Sequence, residues 1–243
     1  MTAILAAGVV LVAALVKGSI GFGFPTVGTP LLSLVLDVKT SVVVLILPNI
    51  VMDTLQFVRR GAPMATVRRF ALLLAFGAVG TVVGTRLLVA LSSRTAALIL
   101  GAFIVAFVGL SVTGVTLRVP HRWERWLSPV VGLLVGIVGG ITNVPGTPLV
   151  IYFHALGLGK HEFVSSVAFT FVVYKLVQLA AVWYYGLLSP SLIGASLLLT
   201  LIALVGFWLG LMVQDRLEQR TFNRAVLVFL AVLGLWLVVR NLH

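Results

Sequence analysis

The stretch Lys17-Gly18-Ser19-Ile20-Gly21-Phe22-Gly23-Phe24-Pro25, followed two residues later by Gly28-Thr29-Pro30, interrupts an apolar run extending from 2 to 36. Drawn as one straight helix at 1.5 Å per residue, that run would measure about 52 Å, too long for one crossing of a hydrocarbon core about 30 Å thick. It must be two pieces, a broken helix or a hairpin. A second run, 128–156, carries the same defect at Gly136 to Gly140 and at Asn143-Val144-Pro145-Gly146-Thr147-Pro148. Irregular backbone at membrane depth survives only where it is buried in protein or lines a cavity, because lipid offers its N–H and C=O groups no partners.

The surrounding sequence is membrane-like throughout. Of 243 residues, 60% are hydrophobic and only 9% charged, with a mean hydropathy of +1.20. That composition excludes an ordinary soluble domain, in which charged residues make up about a quarter. Further apolar stretches fall at about 40–58, 68–91, 95–117, 163–185, 190–213 and 222–239, so the chain reads as an all-α polytopic membrane protein with eight apolar segments, two of them broken. The absence of Cys excludes disulfides and thiol chemistry. Met1 to Val16 lacks a basic leader region and runs into more apolar sequence, so it is not read as a cleaved signal peptide.

The two broken runs indicate an internal repeat. Gly18, Gly21 and Gly28-Thr29-Pro30-Leu31 match Gly136, Gly139 and Gly146-Thr147-Pro148-Leu149 at an offset of 118. Thr40-Ser41 and Gly61 match Ser165-Ser166 and Gly186 at 125, and Gly80, Gly84, Arg94 and Thr95 match Gly206, Gly210, Arg220 and Thr221 at 126. The expected organisation is a first repeat over 1–117, a basic cytoplasmic connection over 118–127, and a second repeat over 128–243.

Charge decides how the halves face. The chain carries 17 Lys and Arg against 6 Asp and Glu, a net +11. In a membrane protein that surplus reads as topology and not as nucleic-acid binding, because basic flanks stay in the cytoplasm. If each broken run crosses once, the cluster Arg216, Arg220, Arg224 is stranded outside. If each folds back so that both its ends emerge on one side, that cluster joins Arg59, Arg60, Arg68, Arg69, Arg118, Arg122, Arg125 and Lys160 inside, leaving Lys39, Arg94 and Arg240 outside. The second arrangement satisfies the positive-inside rule and makes the halves an inverted repeat. It also puts Trp183-Tyr184-Tyr185 at the outer interface.

Inverted repeats with matching broken segments point to the binding site of a secondary carrier. A break exposes N–H groups at a helix N-terminus, which attract an anion. In Gly28-Thr29-Pro30 and Gly146-Thr147-Pro148, Pro suits the first helical turn and the preceding Thr can cap it. The competing reading is two kinked helices in a packed bundle.

The Gly-rich broken opening at 18–31, Arg59-Arg60-Gly61 after the second segment, the Gly80/Gly84 and Gly206/Gly210 pairs, and Arg220-Thr221-Phe222-Asn223-Arg224 before the last apolar helix resemble the TauE/SafE family of sulfite exporters and related permeases. The resemblance spans nearly the whole chain and implies transport of small sulfur-containing anions, such as sulfite or organosulfonates, across the bacterial inner membrane. Asn143-Val144-Pro145 departs from the family's Gly-rich pattern in the second half.

A charge inside a membrane helix is a functional candidate by default. Lys175, mid-way along 163–185 and flanked by Tyr174 and Gln178, is the first choice for the anion's partner; the alternative is a structural Lys paired to Asp53 or to backbone carbonyls. Asp53 is the coupling candidate, with two competing roles, partner to Lys175 or answer to Arg59 and Arg60. Asn49 follows the kinking Pro48 and aligns with Tyr174, as Asp53 aligns with Gln178. The substrate-binding set expected is therefore Lys175, Asn143, Thr147, Gly146, Thr29, Gly28, Asn49, Tyr174 and Gln178. Thr142, Thr26 and Ser19 are further donors, Lys17 is read as snorkelling to the interface, His154 as a structural imidazole, and the Gly pairs as close-packing faces. No metal, cofactor or catalytic residue is expected. The partners are a small anion and membrane lipid, with a homodimer left open.

Overall fold

The computed structural model describes residues 1–60, 68–112, 118–144, 146–213 and 219–242. Arg216 lies outside the described residues, as do the side chains of Arg60, Thr147, Lys160, Arg220 and Arg224, and of Gly146 only the backbone is described. Ten helices are described: α1 (Thr2–Ile20), α2 (Phe24–Leu32), α3 (Val38–Arg60), α4 (Ala71–Ala90), α5 (Ser93–Val112), α6 (His121–Thr142), α7 (Gly146–Ala155), α8 (Lys160–Tyr184), α9 (Pro190–Val213) and α10 (Gln219–Leu242). Each broken run has become a long helix and a short one. Among the described residues seven helices, α1, α3, α4, α5, α6, α8 and α9, are long and apolar enough to cross a membrane. The chain is an all-helical polytopic membrane protein.

The backbone explains both breaks. α1 ends on Gly21 at φ 88° and α2 starts after Gly23 at φ 98°, conformations that only Gly enters without cost. α6 ends on Asn143, the one non-Gly residue at positive φ among the described residues (65°), which Asn tolerates better than most. Its preceding Thr142 receives the Val144 N–H at 3.1 Å.

Close backbone approach sets the packing. A Cβ on Gly206 would lie 2.4 Å from the Leu11 carbonyl and one on Gly210 2.3 Å from that of Leu15, so α1 runs parallel to α9. In the other pair a Cβ on Gly80 would lie 2.3 Å from the Leu133 carbonyl and one on Gly84 2.2 Å from that of Ile137, so α4 runs parallel to α6. These contacts repeat between the halves at an offset of 126 in α4 and α9, as the sequence indicated, but of 122 in α1 and α6: Leu11 answers to Leu133, Leu15 to Ile137, Gly18 to Gly140. The offset of 118 is corrected by one helical turn. Gly132, Gly136 and Gly140 recur every four residues, so a slip of four still sets Gly against Gly.

Other pairs run antiparallel. Phe57 meets Phe169 at a ring distance of 5.1 Å while Val43 and Ile46 pack on Val182, which sets α3 against α8. Arg94 donates to the Asn241 carbonyl at 2.7 Å while Gly101 faces Gly234 and Leu237, which sets α5 against α10. α2 folds back along α1, with Gly28 between Ala13 and Leu45.

The two ends of the bundle differ in charge. Arg69 reaches Glu124 and Glu162, and the Val119 N–H reaches the Ala155 carbonyl, so Arg59, Arg68, Arg122 and Arg125 gather at one end. Glu124 raises the pKa of Arg69, chiefly through its hydrogen bond. Lys39, Arg94 and Arg240 mark the other end, where Lys39 donates to the Val89 carbonyl and Arg94 to that of Asn241.

Candidate functional site

The second break meets α2 inside the protein. Asn143, which closes α6, donates through Nδ2 to the Thr29 hydroxyl on α2 at 3.1 Å. Thr29 sits inside α2 and does not cap it: Pro25 occupies the first turn, while Pro30 lies within the helix. The expected capping role of Gly28-Thr29-Pro30 is thus corrected, because the chain enters α2 at Gly23, nearly two turns earlier. Thr29 serves instead as an acceptor between the halves. α7 begins at Gly146, which puts Thr147 inside its first turn and not at the expected capping position.

Lys175 joins the same cluster. Its ammonium donates to the Asn143 side-chain oxygen, to the Asn143 carbonyl at 3.4 Å and to Gln178 Oε1 at 2.5 Å. Gln178 in turn donates to the carbonyls of Gly139 and Gly140 at 3.3 and 3.2 Å, in the last turn of α6, where the Gly139 carbonyl also accepts the Asn143 N–H at 2.9 Å. Lys175, Asn143, Gln178 and Thr29 are therefore one hydrogen-bonded unit, with Lys175 1% exposed and Gln178 and Asn143 fully buried.

A matching unit lies at the other break. Gln56 donates to the Gly21 carbonyl at 2.5 Å, and Lys17 is ion-paired with Asp53. Lys17 was expected to snorkel; it is 0% exposed, held inward by a carboxylate one helix away. Asp53 accordingly answers to Lys17, and not to Arg59 or Lys175 by direct contact, although it lies within electrostatic reach of Lys175. The two glutamines each bind carbonyls at the end of the first helix of their own half. This pairs Gln56 with Gln178 and Asp53 with Lys175, again at 122, in place of the alignment of Asp53 with Gln178.

Other expected residues are placed elsewhere. The Tyr174 hydroxyl donates to the Leu73 carbonyl at 2.7 Å and covers Gly77 on α4, away from the Lys175 ammonium. Gly28 is a packing position against Ala13 and Leu45. Asn49 is fully buried one turn before Asp53; both its amide atoms, and Asp53 Oδ2, lack a hydrogen-bond partner among the described residues. Gln56 is the residue sequence reasoning passed over. Its signal was present, since Asp53-x-x-Gln56 has the spacing of Lys175-x-x-Gln178.

Access is unequal from the two ends. A cavity of about 280 Å³ is lined by Arg59 and His161 at the basic end and reaches Gly18, Gly21 and Gln56, beside the Lys17–Asp53 pair. Toward the opposite end, Val43, Ile46 and Val182 are buried together, with Ile50, Leu179 and Leu192 packed around them. This apolar cluster lies between α3 and α8, away from the basic end. A solute entering from the basic end would meet Arg59, His161 and Gln56.

Among known families, the description "Sulfite exporter TauE/SafE" matches this chain over residues 5–237. Neither a curated protein nor a solved structure matches it.

Proposed function

The chain belongs to the sulfite exporter TauE/SafE family and is a membrane transporter, and on that premise we propose that it exports small sulfur-containing anions, sulfite or organosulfonates, across the bacterial inner membrane by alternating access. One observation carries the substrate charge. Lys175 is buried, and among the described residues its hydrogen-bond partners are all neutral oxygens, while Asp53 is already paired with Lys17. Two ammoniums and one carboxylate sum formally to +1, and an uncompensated buried charge is costly. A monovalent anion removes that imbalance, and sulfonate or sulfite oxygens can accept from Lys175, Asn143 and Asn49, the last of which is otherwise unpaired.

The two repeats, 1–117 and 128–243 joined through 118–127, supply the moving parts. The antiparallel course of α3 against α8 and of α5 against α10 supports halves of opposite orientation, and the basic end is the cytoplasmic one by the positive-inside rule. The anion enters by the Arg59–His161 vestibule and is released outward when the Val43–Ile46–Val182 plug parts. With the cell interior negative, carrying one negative charge outward is favourable by about 2.3 kcal/mol per 100 mV, so export needs no nucleotide. The role is that of a carrier and not of an enzyme.

Proteoliposome flux of sulfite and of short organosulfonates tests this reading. Lys175→Ala should abolish flux with the protein still folded; retained flux would remove Lys175 from the site. Asp53, buried and half unpartnered, favours a second reading, uptake of such anions coupled to a proton or another cation. In that case flux would depend on pH in the wild type and lose that dependence in Asp53→Asn.

A further inference from the structure

The start of α4 and the first turns of α6 enclose a second cavity, of about 340 Å³, lined by Arg68, Arg69, Ala71, Leu72, Glu124, Arg125 and Ser128. It shares no lining residue with the vestibule at Arg59 and His161. Arg69 is committed: it holds Glu124 through two bonds of 2.7 and 2.9 Å and reaches Glu162 at 3.4 Å. Arg68 and Arg125 are exposed and find no partner among the described residues. Two free guanidiniums at the edge of one cavity suit a phosphate group, which they can bind bidentately.

What lies below them identifies the source of that phosphate. On α6 the exposed row that starts at Arg122 continues through Trp126, Val130 and Leu134; on α4 the row below Arg68 continues through Leu72, Phe76 and Val79. Both rows go from cation to apolar surface within two turns, and Trp126, 76% exposed, stands at the junction where indole rings favour the headgroup layer. A free phosphate has no use for the apolar surface, whereas a phospholipid uses both parts. Basic pockets between membrane helices on the cytoplasmic side are suited to anionic headgroups.

We infer that the groove between α4 and α6 is a binding site for an anionic phospholipid, its headgroup phosphate on Arg68 and Arg125 and its acyl chains along Leu72, Phe76, Val130 and Leu134. The site faces the bilayer and not the transport route, so it holds α4 against α6 at the headgroup layer without entering the substrate path.

The full chain in nanodiscs tests this. Against phosphatidylcholine alone, equal parts of phosphatidylglycerol and phosphatidylcholine should raise the melting temperature by about 3 °C or more. Inorganic phosphate added to phosphatidylcholine discs should not. The double variant Arg68→Gln, Arg125→Gln should lose the lipid-dependent shift, and Arg68→Lys, Arg125→Lys should keep part of it. An equal shift with inorganic phosphate would replace the lipid site by a simple anion site. No shift with phosphatidylglycerol, or a full shift in the glutamine variant, would overturn the proposal. If the glutamine variant does not fold, native mass spectrometry of wild-type protein from the mixed discs decides it: retained phosphatidylglycerol in excess of phosphatidylcholine supports the site, and equal retention refutes it.

Discussion

Lys17 on α1 and Asp53 on α3 form an ion pair sealed from solvent, their side chains 0% and 1% exposed. It ties the first break to the helix that carries Asn49, Asp53 and Gln56, and among the described residues it leaves the buried Lys175 without a carboxylate in direct contact. Removing one member of a buried pair strands the other. Lys17→Met and Asp53→Asn should each destabilise the protein by about 3–5 kcal/mol, and the double variant by clearly less than the two single losses combined. Thermal unfolding of the four proteins in one detergent measures this, and additive losses would show that the pair has no mutual stabilisation.

The glycine contacts give a sharper contrast. Gly80→Ala should destabilise by about 1–3 kcal/mol, because its Cβ would meet the Leu133 carbonyl at 2.3 Å and the two backbones must separate. Gly8→Ala meets nothing within 4 Å and should be neutral or slightly stabilising. Comparing the melting temperatures of the two variants checks that backbone contact, and not glycine flexibility, holds α4 on α6.

Because the natural chain has no Cys, a single introduced Cys reports accessibility without background. Arg68→Cys and Arg125→Cys should react with an impermeant thiol reagent only from the cytoplasmic face, and Lys39→Cys and Arg94→Cys only from the other. Ser191→Cys, in the uncharged 186–191 connection, should also react only from that other face, and its labelling from the cytoplasmic face would refute the topology in which each broken run folds back.

The plug between α3 and α8 predicts a gating phenotype. Ile46→Ser places a hydroxyl among Val43, Val182 and Leu192 and removes apolar volume, so passive anion leak in proteoliposomes should rise several-fold with folding retained. The exposed Val58→Ser on the same helix should leave the leak at the wild-type level. Equal leak in both would mean that the cluster does not close the route.

Much of this was written in the sequence, and for identifiable reasons. Overlong apolar runs broken by Gly and Pro announce helix breaks because 1.5 Å per residue and the bilayer thickness allow nothing else. The asymmetry of Arg and Lys placed 59–69 and 118–125 at one end because charge controls translocation. Lys175, Asn143, Gln178 and Thr29 could be picked out because polar groups are rare in such helices. Their assembly into one hydrogen-bonded unit could not, since it depends on α2 folding back until Thr29 reaches Asn143.

Three further matters were decided only by tertiary structure. A lysine near a helix end looks the same whether it snorkels or is buried, and Lys17 is buried because α3 brings Asp53 beside it. Tyr174 adjoins Lys175 in sequence, yet neighbours on a helix point about 100° apart, and its hydroxyl ends on Leu73 of α4. The register of the repeat slipped by a turn because glycines spaced by four align with themselves, and only the Leu11–Gly206 and Leu133–Gly80 contacts fix which glycine is which. Composition and period determined that the chain crosses a membrane in apolar helices, two of its runs broken; the distances across the bundle determined which of its few polar side chains face one another.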